Sequence, residues 1–426
     1  MSRRLRIAGV AVLVALLAAG GAAAFVLTRD GDVSNEDVAF RAEPTATPEP
    51  TPDARPKRTE DPFNWATYKY SKDRRGYLPA STSLRPPFRR RWSLTGSILL
   101  EFGPAIGGRS LFLLKNNGAL YAASKRTGEV RWKRKLGYLA ASAPAYAGGR
   151  VYVTLLQRGK GVRGGRIVAL RARDGAILWQ RDLASRSESS PLIDGDRLYF
   201  GSENGTLYSM RASDGAVRWK RRVGGAVKSG LALANGKLYF GDYKGRMHAI
   251  RQRDGGKVWS TGTSGARFGL SSGRFYSTPA VAYGRVYVGN TDGKVYSFDS
   301  GSGKLAWSKS TGGFVYSSPA VAQVPGGRPT VYIGSYSGRF YGLDARTGRV
   351  RWSHDAKGKI SGAATVVGDI VYFSNLRRKS TVGLGARTGR KVFEFGRGSY
   401  NPVVSDGKRI YLTGYSSLYA LVPKRR

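Results

Sequence analysis

The chain has 426 residues with no cysteine, 58 glycines and 24 tyrosines, and its net charge is +43. The lack of cysteine excludes a disulfide framework and any metal site with thiolate ligands. Residues 61–426 hold 63 of the 71 Lys and Arg but only 20 of the 28 Asp and Glu, so the whole positive excess lies there. Such a charge attracts polyanionic partners.

An apolar run of 21 residues, from Ile7 to Leu27, follows a short basic N-terminus. A helix of that length is roughly 30 Å long, the thickness of the hydrocarbon core of a bilayer. Because basic residues precede the run, we predict a cytoplasmic tail at 1–6, a transmembrane signal anchor at 7–27 and an extracytoplasmic remainder. The alternative is a signal peptide that is cleaved after Ala22–Ala24 and leaves a secreted protein.

Two segments connect the apolar run to the repeats. Residues 28–60 contain five prolines between positions 44 and 56 and few apolar side chains. This composition predicts an extended, disordered linker. Residues 61–87 are richer in aromatic side chains, and we predict that this lead-in segment packs Trp65 and Tyr68 onto the folded domain.

Eight aromatic residues then recur at intervals of 40 to 48 residues. They are Trp92, Trp132, Trp179, Trp219, Trp259, Trp307, Trp352 and Phe393. From Trp132 onward, each lies four residues after a glycine that suits a hairpin turn, as in the segment L-D-A-R-T-G-R-V-R-W from Leu343 to Trp352. Two further signals, roughly P-A-V-A-x-G-x-V-Y-V-G and L-Y-A, each occur eight times.

This period, with four short strands in each unit, is typical of a β-propeller. The last copy, 411–421, has no Trp-bearing strand after it, whereas the Trp-bearing segment 88–94 has no strands before it. Each end supplies what the other lacks, and ring closure leaves no exposed sheet edge. We therefore predict an all-β fold, an eight-bladed propeller over 88–426 that is closed by strand 88–94.

The unit from Leu343 to Trp352, with S-S-P-A-V-A ahead of it, resembles the tryptophan-docking repeat of pyrroloquinoline quinone (PQQ) propellers, the superfamily of BamB-like and quinoprotein alcohol dehydrogenase-like proteins. The lead-in sequence W-A-T-Y-K-Y-S-K-D-R-R is similar to their entry segment. The resemblance implies that each repeating aromatic residue docks on the turn of the neighbouring blade. The chain departs from the repeat in one respect. The Asp of the motif is present at Asp299 and Asp344, but Arg171, Arg211 and Arg251 replace it elsewhere.

A resemblance to the enzymes of this superfamily would imply PQQ over the central channel, a bound Ca²⁺, an Asp base and usually a vicinal Cys pair. The chain has no Cys, and its tryptophans are assigned to docking positions and to Trp65. Asp174, Asp214 and Asp254 fall in Asp-Gly hairpin turns, where Asp has a structural role. We expect no catalytic residue, no cofactor and no metal ion, and PQQ is implied by the resemblance only.

The loops before the innermost strands are the first candidate binding site. They carry Glu101, Glu188, Lys228, Tyr276, Tyr316 and Tyr400. In a propeller such loops meet at the channel mouth, and their mixture of charged and aromatic side chains suits a small polar ligand. The alternative interpretation is an ordinary polar rim.

The basic clusters are the second candidate site. The predicted contacts to an anionic partner are Arg89, Arg90, Arg91, Lys133, Arg134, Lys135, Arg163, Arg221, Arg222, Arg377, Arg378 and Lys379. Most of them lie on outer strands or in the loops that follow, and Arg163 lies in an insertion at 157–166. A second insertion, 262–272, is another candidate contact loop. The alternative is a solvated basic surface.

Together these features predict a monomeric, membrane-anchored, extracytoplasmic propeller. We expect it to act as a non-catalytic binding or assembly scaffold for a protein partner or an anionic cell-envelope polymer. Export makes nucleic acid the least expected partner. The alternative function is that of a PQQ-dependent quinoprotein oxidoreductase.

Overall fold

The computed structural model describes residues 31–41, 63–80, 84–263, 273–398, 400–401 and 403–424. Its regular structure there consists of β-strands, with no helix. Within these ranges, accordingly, no helix has the length and apolar character needed to cross a bilayer. The membrane helix predicted for 7–27 lies outside the described residues and stays a prediction.

Eight four-stranded antiparallel units, named blades 1 to 8 here, form the molecule, and their first strands pack against one another around a central channel. Blade 1 comprises Ala105–Gly107, Ser110–Leu114, Ala119–Ser124 and Val130–Lys135, and blade 2 comprises Ala145–Ala147, Arg150–Leu155, Arg166–Arg171 and Ile177–Asp182. Blade 3 comprises Leu192–Asp194, Arg197–Gly201, Thr206–Arg211 and Val217–Arg222, and blade 4 comprises Ala232–Ala234, Lys237–Gly241, Arg246–Arg251 and Lys257–Gly262. Blade 5 comprises Ala280–Ala282, Arg285–Gly289, Lys294–Asp299 and Leu305–Ser310. Blade 6 comprises Ala320–Ala322, Thr330–Gly334, Arg339–Asp344 and Val350–Asp355. Blade 7 comprises Thr365–Val367, Ile370–Asn375, Ser380–Gly385 and Lys391–Phe395.

Blade 8 joins the two ends of the domain. Its first three strands are Val403–Ser405, Ile410–Thr413 and Leu418–Pro423, and its fourth is Phe88–Leu94. Phe88 pairs with Pro423 and Leu94 with Leu418 in an antiparallel register. The eight-bladed ring and its closing strand are therefore as predicted from the repeat period.

Tryptophans of the fourth strands join successive blades. Six indole nitrogens donate to a backbone carbonyl of the next blade at 3.0–3.2 Å: Trp132 to Ala172, Trp179 to Ala212, Trp219 to Gln252, Trp259 to Ser300, Trp307 to Ala345 and Trp352 to Ala386. Each ring covers a turn glycine with positive φ, where a Cβ atom would meet the indole at 3.0 Å or less. A side chain is therefore excluded at these glycines both by the backbone conformation and by the docked ring.

The remaining two docking residues differ from this pattern. The ring of Trp92 covers Gly128 of blade 1, but its Nε1 has no hydrogen-bond partner among the described residues. Phe393 was predicted to dock like the tryptophans, and the structure corrects this, because its ring meets the edge of Phe88 at 5.4 Å. Blade 8 has no hairpin between its third and fourth strands, since these come from opposite ends of the chain, so no turn glycine is available to Phe393.

The turns between third and fourth strands are fixed in two ways. In blade 6, Asp344 accepts hydrogen bonds from the backbone of the turn and from Arg351 at 2.6 Å. In blade 2 the motif's Asp is replaced by Arg171, which pairs with Asp174 at 3.2 Å, and that carboxylate accepts the Ala176 N–H at 3.0 Å. The pairs Arg211–Asp214 and Arg251–Asp254 repeat this arrangement in blades 3 and 4. In blades 2, 3 and 4 the carboxylate lies three residues further along the turn than in blade 6, and it stabilises the turn in both arrangements.

Residues 31–41, named the strap here, lie on blade 5. Val33–Ser34 adds an antiparallel strand outside Leu305–Ser310, where Ser34 pairs with Trp307. Val38 is buried, and Arg285 donates to the carbonyls of Val38 and Ala39 at 2.5 and 3.2 Å. The sequence predicted an extended linker for this segment. The segment is ordered instead by tertiary contacts with blade 5, namely the strand pairing with Trp307 and Ser308 and the hydrogen bonds from Arg285.

The lead-in segment, described over 63–80, runs around the inside of the channel. Its backbone carbonyls accept hydrogen bonds from the first strands of six blades: Trp65 from Ile106, Ala66 from Tyr146, Lys72 from Leu233, Asp73 from Val281, Arg75 from Val321 and Gly76 from Val366. Trp65 is buried, as predicted. The cations Lys69 and Arg74 are buried as well, and both donate to backbone carbonyls of the loops before the first strands. The lead-in thus forms a floor across the channel.

Candidate functional site

The loops that enter the first strands surround a cavity of about 240 Å³ above this floor, named the mouth cavity here. All six residues predicted for the channel mouth line it: Glu101, Glu188, Lys228, Tyr276, Tyr316 and Tyr400. They come from six different loops, and the ring geometry brings them together. That the cavity holds a ligand stays a prediction.

A triad of charges forms one wall of the mouth cavity. Lys228 donates to Glu188 and to Glu203, in both cases at 2.7 Å, and the hydroxyl of Tyr276 donates to the other oxygen of Glu188 at 3.2 Å. Burial raises the pKa of Glu188 and also acts to raise that of Glu203, but for Glu203 the Lys228 ammonium outweighs burial and the pKa is lowered. With both carboxylates ionised, the triad carries a net charge of −1.

Glu101 lies on another part of the lining and has a different environment. Its Oε2 accepts a hydrogen bond from the Asn116 amide at 3.0 Å, and its own backbone carbonyl accepts one from Asn401 at 2.9 Å. Among the described residues, no Lys or Arg forms an ion pair with this carboxylate. Burial therefore raises the pKa of Glu101, and the amide only partly offsets it.

Three tyrosines, Tyr276, Tyr316 and Tyr336, named the tyrosine arc here, continue the lining from the triad onto blades 5 and 6. Tyr276 and Tyr316 meet edge to face at 5.8 Å between ring centroids, and Tyr316 and Tyr336 are tilted at 4.8 Å. Phe314, more than half exposed, contacts both Tyr316 and Tyr336. The arc therefore continues from the cavity onto the outer surface.

Sequence reasoning missed Tyr336, Asn401 and the contribution of Tyr68 to the lining. Tyr336 lies in the turn between the second and third strands of blade 6, not in the loop before a first strand. Alignment of the repeats could have found it, because the turn reads S-Y-S-G there, D-Y-K-G in blade 4 and G-Y-S-S in blade 8, whereas the same turn has no aromatic residue in the remaining blades. The hydroxyl of Tyr68 lies 3.3 Å from the Asn401 side-chain oxygen, and this contact between distant segments has no signal in the sequence.

The lining of the mouth cavity does not match the needs of PQQ. That cofactor carries three carboxylate groups and a flat ring system, and it calls for several cations and an aromatic floor. The lining contains one cation, Lys228, already paired with two carboxylates, and it contains no Trp. Over the part of the chain that the structure describes, no group of three or more His, Asp and Glu residues could hold a metal ion. The donor set thus fits neither PQQ nor its Ca²⁺.

The predicted anionic contacts are all exposed, and they lie on five consecutive blades of the ring, from blade 7 through blades 8, 1 and 2 to blade 3. The fourth strands of blades 8, 1 and 3 read F-R-R-R-W-S-L, V-R-W-K-R-K and V-R-W-K-R-R, whereas those of the other five blades have one Lys or Arg each. We name the cations of the first three strands the basic rim. Arg377, Arg378 and Lys379 lie nearby in ring order, in a turn of blade 7, and Arg163 lies exposed in the insertion of blade 2.

Some of these cations have structural partners. Arg134 donates to the carbonyls of Gly175 and Asp174 in blade 2, at 3.1 and 3.0 Å, so it joins two blades. Arg378 lies 4.0 Å from Glu394. Arg89, Arg90 and Arg91 have no carboxylate partner within the described ranges, and the same holds for Arg221 and Arg222. The second insertion, 262–272, is described only for Gly262 and Thr263.

The family profile described as outer membrane protein assembly factor BamB matches residues 81–226, 163–314 and 317–424. The three matches together cover about four-fifths of the chain and follow the repeat from blade to blade. No curated protein matches the sequence significantly.

Several solved structures share the fold. BamB from Moraxella catarrhalis has a TM-score of 0.63 at 19% identity, covering 80% of this chain and 99% of that chain. Quinohemoprotein alcohol dehydrogenase from Comamonas testosteroni has a TM-score of 0.69 at 13% identity, covering 85% and 81%. The computationally designed protein Ika8 has a TM-score of 0.63 at 12% identity, covering 79% and 100%. Identities this low show a common fold alone, so function has to be argued from the sites of this chain.

Proposed function

The chain belongs to the family described as outer membrane protein assembly factor BamB, and on that premise we propose that it is a non-catalytic binding scaffold. Its partner presents a polyanionic surface, on a protein or on a cell-envelope polymer, and binds to the basic rim. The observation that carries this proposal is the set of exposed arginines on the fourth strands of blades 8 and 3 that have no carboxylate partner among the described residues, namely Arg89, Arg90, Arg91, Arg221 and Arg222. Like charges held close together on rigid strands repel one another, which is unfavourable when no counter-charge is near. The same charges attract an anionic partner, and its binding relieves the repulsion.

The strap gives the proposed scaffold an orientation. In a ring of eight, blade 5 is opposite blade 1, so the strap lies across the molecule from Lys133, Arg134 and Lys135. The membrane helix predicted for 7–27 would end only five residues before Asp32, which pairs with Lys309 of blade 5. We infer that the membrane anchor holds blade 5 towards the bilayer, while the basic rim faces away from it. A partner in the cell envelope then fits better than the lipid headgroups of the anchoring membrane.

The alternative, a PQQ-dependent oxidoreductase, has support in the dehydrogenase neighbours. Its weakness is the composition of the mouth cavity, where Lys228 is the one cation in the lining and is bonded to Glu188 and Glu203. We therefore propose that the protein is not an enzyme.

Retention of the full chain on immobilised polyglutamate, compared with neutral dextran, tests the scaffold. Between about 0.1 M and 1 M salt the Debye length falls from about 10 to 3 Å. We expect retention on polyglutamate at the lower salt, release at the higher salt and no retention on dextran. Equal behaviour on the two matrices would contradict the proposal.

Dye reduction tests the alternative function. The full chain is incubated with PQQ and Ca²⁺, and reduction of an artificial electron acceptor is followed with alcohols and sugars as substrates. We expect no rate above that of the chain without PQQ. Substrate-dependent reduction that requires PQQ would establish the oxidoreductase instead.

A further inference from the structure

Glu101 is an unusual residue in this protein. Residues 61–426 contain more than three Lys or Arg for every Asp or Glu, yet no described Lys or Arg forms an ion pair with the Glu101 carboxylate. This carboxylate lines the mouth cavity and accepts one hydrogen bond, from the amide of Asn116. Glu101 is partly buried, and a carboxylate that is partly removed from water without a counter-charge is unfavourable. The cavity that Glu101 faces therefore calls for a cation.

The other charged groups around the cavity do not supply it. Lys228 is held between Glu188 and Glu203. Below the floor, Lys69 donates to the carbonyls of Ser318, Pro319 and Ala364, and Arg74 donates to those of Leu231 and Pro191. On the outer side, Arg274 lies over the ring of Tyr243 and Lys359 over that of Tyr336.

The field inside the cavity is consistent with this reading. Burial is the main cause that raises the pKa of Tyr276, and the charges that raise it further are Glu188 and Glu101. The pKa of Tyr400 is also raised by burial first and then by Glu101. The phenols on two sides of the cavity thus have carboxylates as their charged neighbours.

We propose that the mouth cavity binds a small organic ammonium ion, with its charge beside Glu101 and its alkyl groups against the faces of the tyrosine arc. Aromatic faces attract alkylammonium groups through their quadrupole, most strongly where water is excluded. The volume of about 240 Å³ is below the range usual for drug-sized ligands, so the guest is small. At physiological ionic strength the Debye length of about 8 Å screens the distant basic rim from the site.

This site is separate from the basic rim, and it goes beyond the proposed scaffold function. Choline and its neutral isostere 3,3-dimethylbutan-1-ol are suitable probes, because the two have the same shape and differ in charge. Binding to the full chain is measured by isothermal titration calorimetry. We expect choline to bind with a Kd below about 1 mM and the neutral alcohol to bind at least about tenfold more weakly.

Variants test the two walls separately. Glu101→Gln keeps the shape of the side chain and removes its charge, and we expect it to weaken choline binding at least about tenfold. Tyr316→Leu should weaken it by a similar factor, whereas Tyr316→Phe, which retains the ring, should not. Glu129→Gln is the matched control, since Glu129 is exposed on blade 1 away from the cavity. Thermal denaturation verifies that each variant is folded, and if Glu101→Gln fails to fold, the two Tyr316 variants carry the test.

Three results would overturn the proposal. They are a failure of choline to bind the wild-type chain at about 1 mM, equal affinity for choline and the neutral alcohol, and unchanged affinity in folded Glu101→Gln or Tyr316→Leu. None of them bears on the basic rim. Conversely, a chain that fails to bind polyglutamate can still bind choline.

Discussion

The indole nitrogen of Trp307 in blade 5 donates a hydrogen bond to the carbonyl oxygen of Ala345 in blade 6 at 3.0 Å. The hydroxyl of Tyr287 donates to the same oxygen at 3.1 Å. Trp307 is fully buried, because the strap pairs with its backbone and covers the strand from outside. One carbonyl thus joins two blades, and the strap excludes water from the joint.

Replacement of Trp307 by Ala should lower the free energy of unfolding by about 3–5 kcal/mol, as for other large truncations in a core. Trp352 makes the equivalent bond to Ala386 but is only partly buried, so Trp352→Ala should cost about 1 kcal/mol less. Urea denaturation of the two variants measures the difference. Equal losses would show that the strap adds nothing to the burial of Trp307.

The strap should detach when a charge is introduced beneath it. Val38 is buried beside Arg285, so Val38→Lys places an ammonium group next to a buried guanidinium. We expect amide hydrogen exchange in Leu305–Ser310 to accelerate at least about tenfold, with no change in Val350–Asp355 of blade 6. Val33→Lys is the matched control, because Val33 is exposed on the same strap. Unchanged exchange in Val38→Lys would contradict the docking of the strap on blade 5.

The charge triad predicts a reversal of pH dependence in Lys228→Met. Without the ammonium group, burial and the neighbouring Glu203 carboxylate keep the pKa of Glu188 above its unfolded value, so the doubly ionised pair is unfavourable. Stability is then retained at low pH and lost as the pH rises through the raised pKa. We expect the free energy of unfolding of the variant to be about 1–3 kcal/mol below that of the wild type at pH 7. This difference in the free energy of unfolding should become smaller towards pH 4.

The double variant Lys228→Met, Glu203→Gln provides the control, since it leaves one carboxylate at this wall. It should recover most of the loss at pH 7. Thermal or urea denaturation across pH 4–8 gives both measurements. A gap between wild type and Lys228→Met that stays constant over this range would rule out the proposed coupling of the carboxylates.

The architecture could be predicted from the sequence because it depends on local patterns repeated eight times. Turn glycines need positive φ and tryptophans recur at a fixed distance from them, so the period and the ring follow from composition at a few positions. The mouth residues could be predicted for the same reason, since each precedes a recognisable first strand. Their convergence into one cavity is a consequence of ring closure.

The strap and the channel floor could not be predicted in this way. The segment V-S-N-E-D-V-A-F-R has no alternation typical of a strand, and its order depends on contacts with Trp307 and Arg285 far along the chain. Burial of Lys69 and Arg74 likewise depends on backbone carbonyls from loops more than one hundred residues away. Phe393 fits the repeat by position, but its neighbour, blade 8, has no hairpin between its third and fourth strands. In each case the deciding contact is a tertiary one.

The measurement that tests the account most directly compares two triple variants on immobilised polyglutamate. The first triple variant combines Arg89→Gln, Arg90→Gln and Arg91→Gln, and it removes three cations from the basic rim. The second triple variant combines Lys257→Gln, Lys304→Gln and Arg349→Gln, and it removes three exposed cations from blades 4, 5 and 6. Its net charge equals that of the first triple variant. The account predicts that the rim variant elutes at much lower salt than the wild type, while the matched variant elutes close to it. Equal shifts in the two variants would show that net charge alone governs binding and would contradict a binding surface at the basic rim.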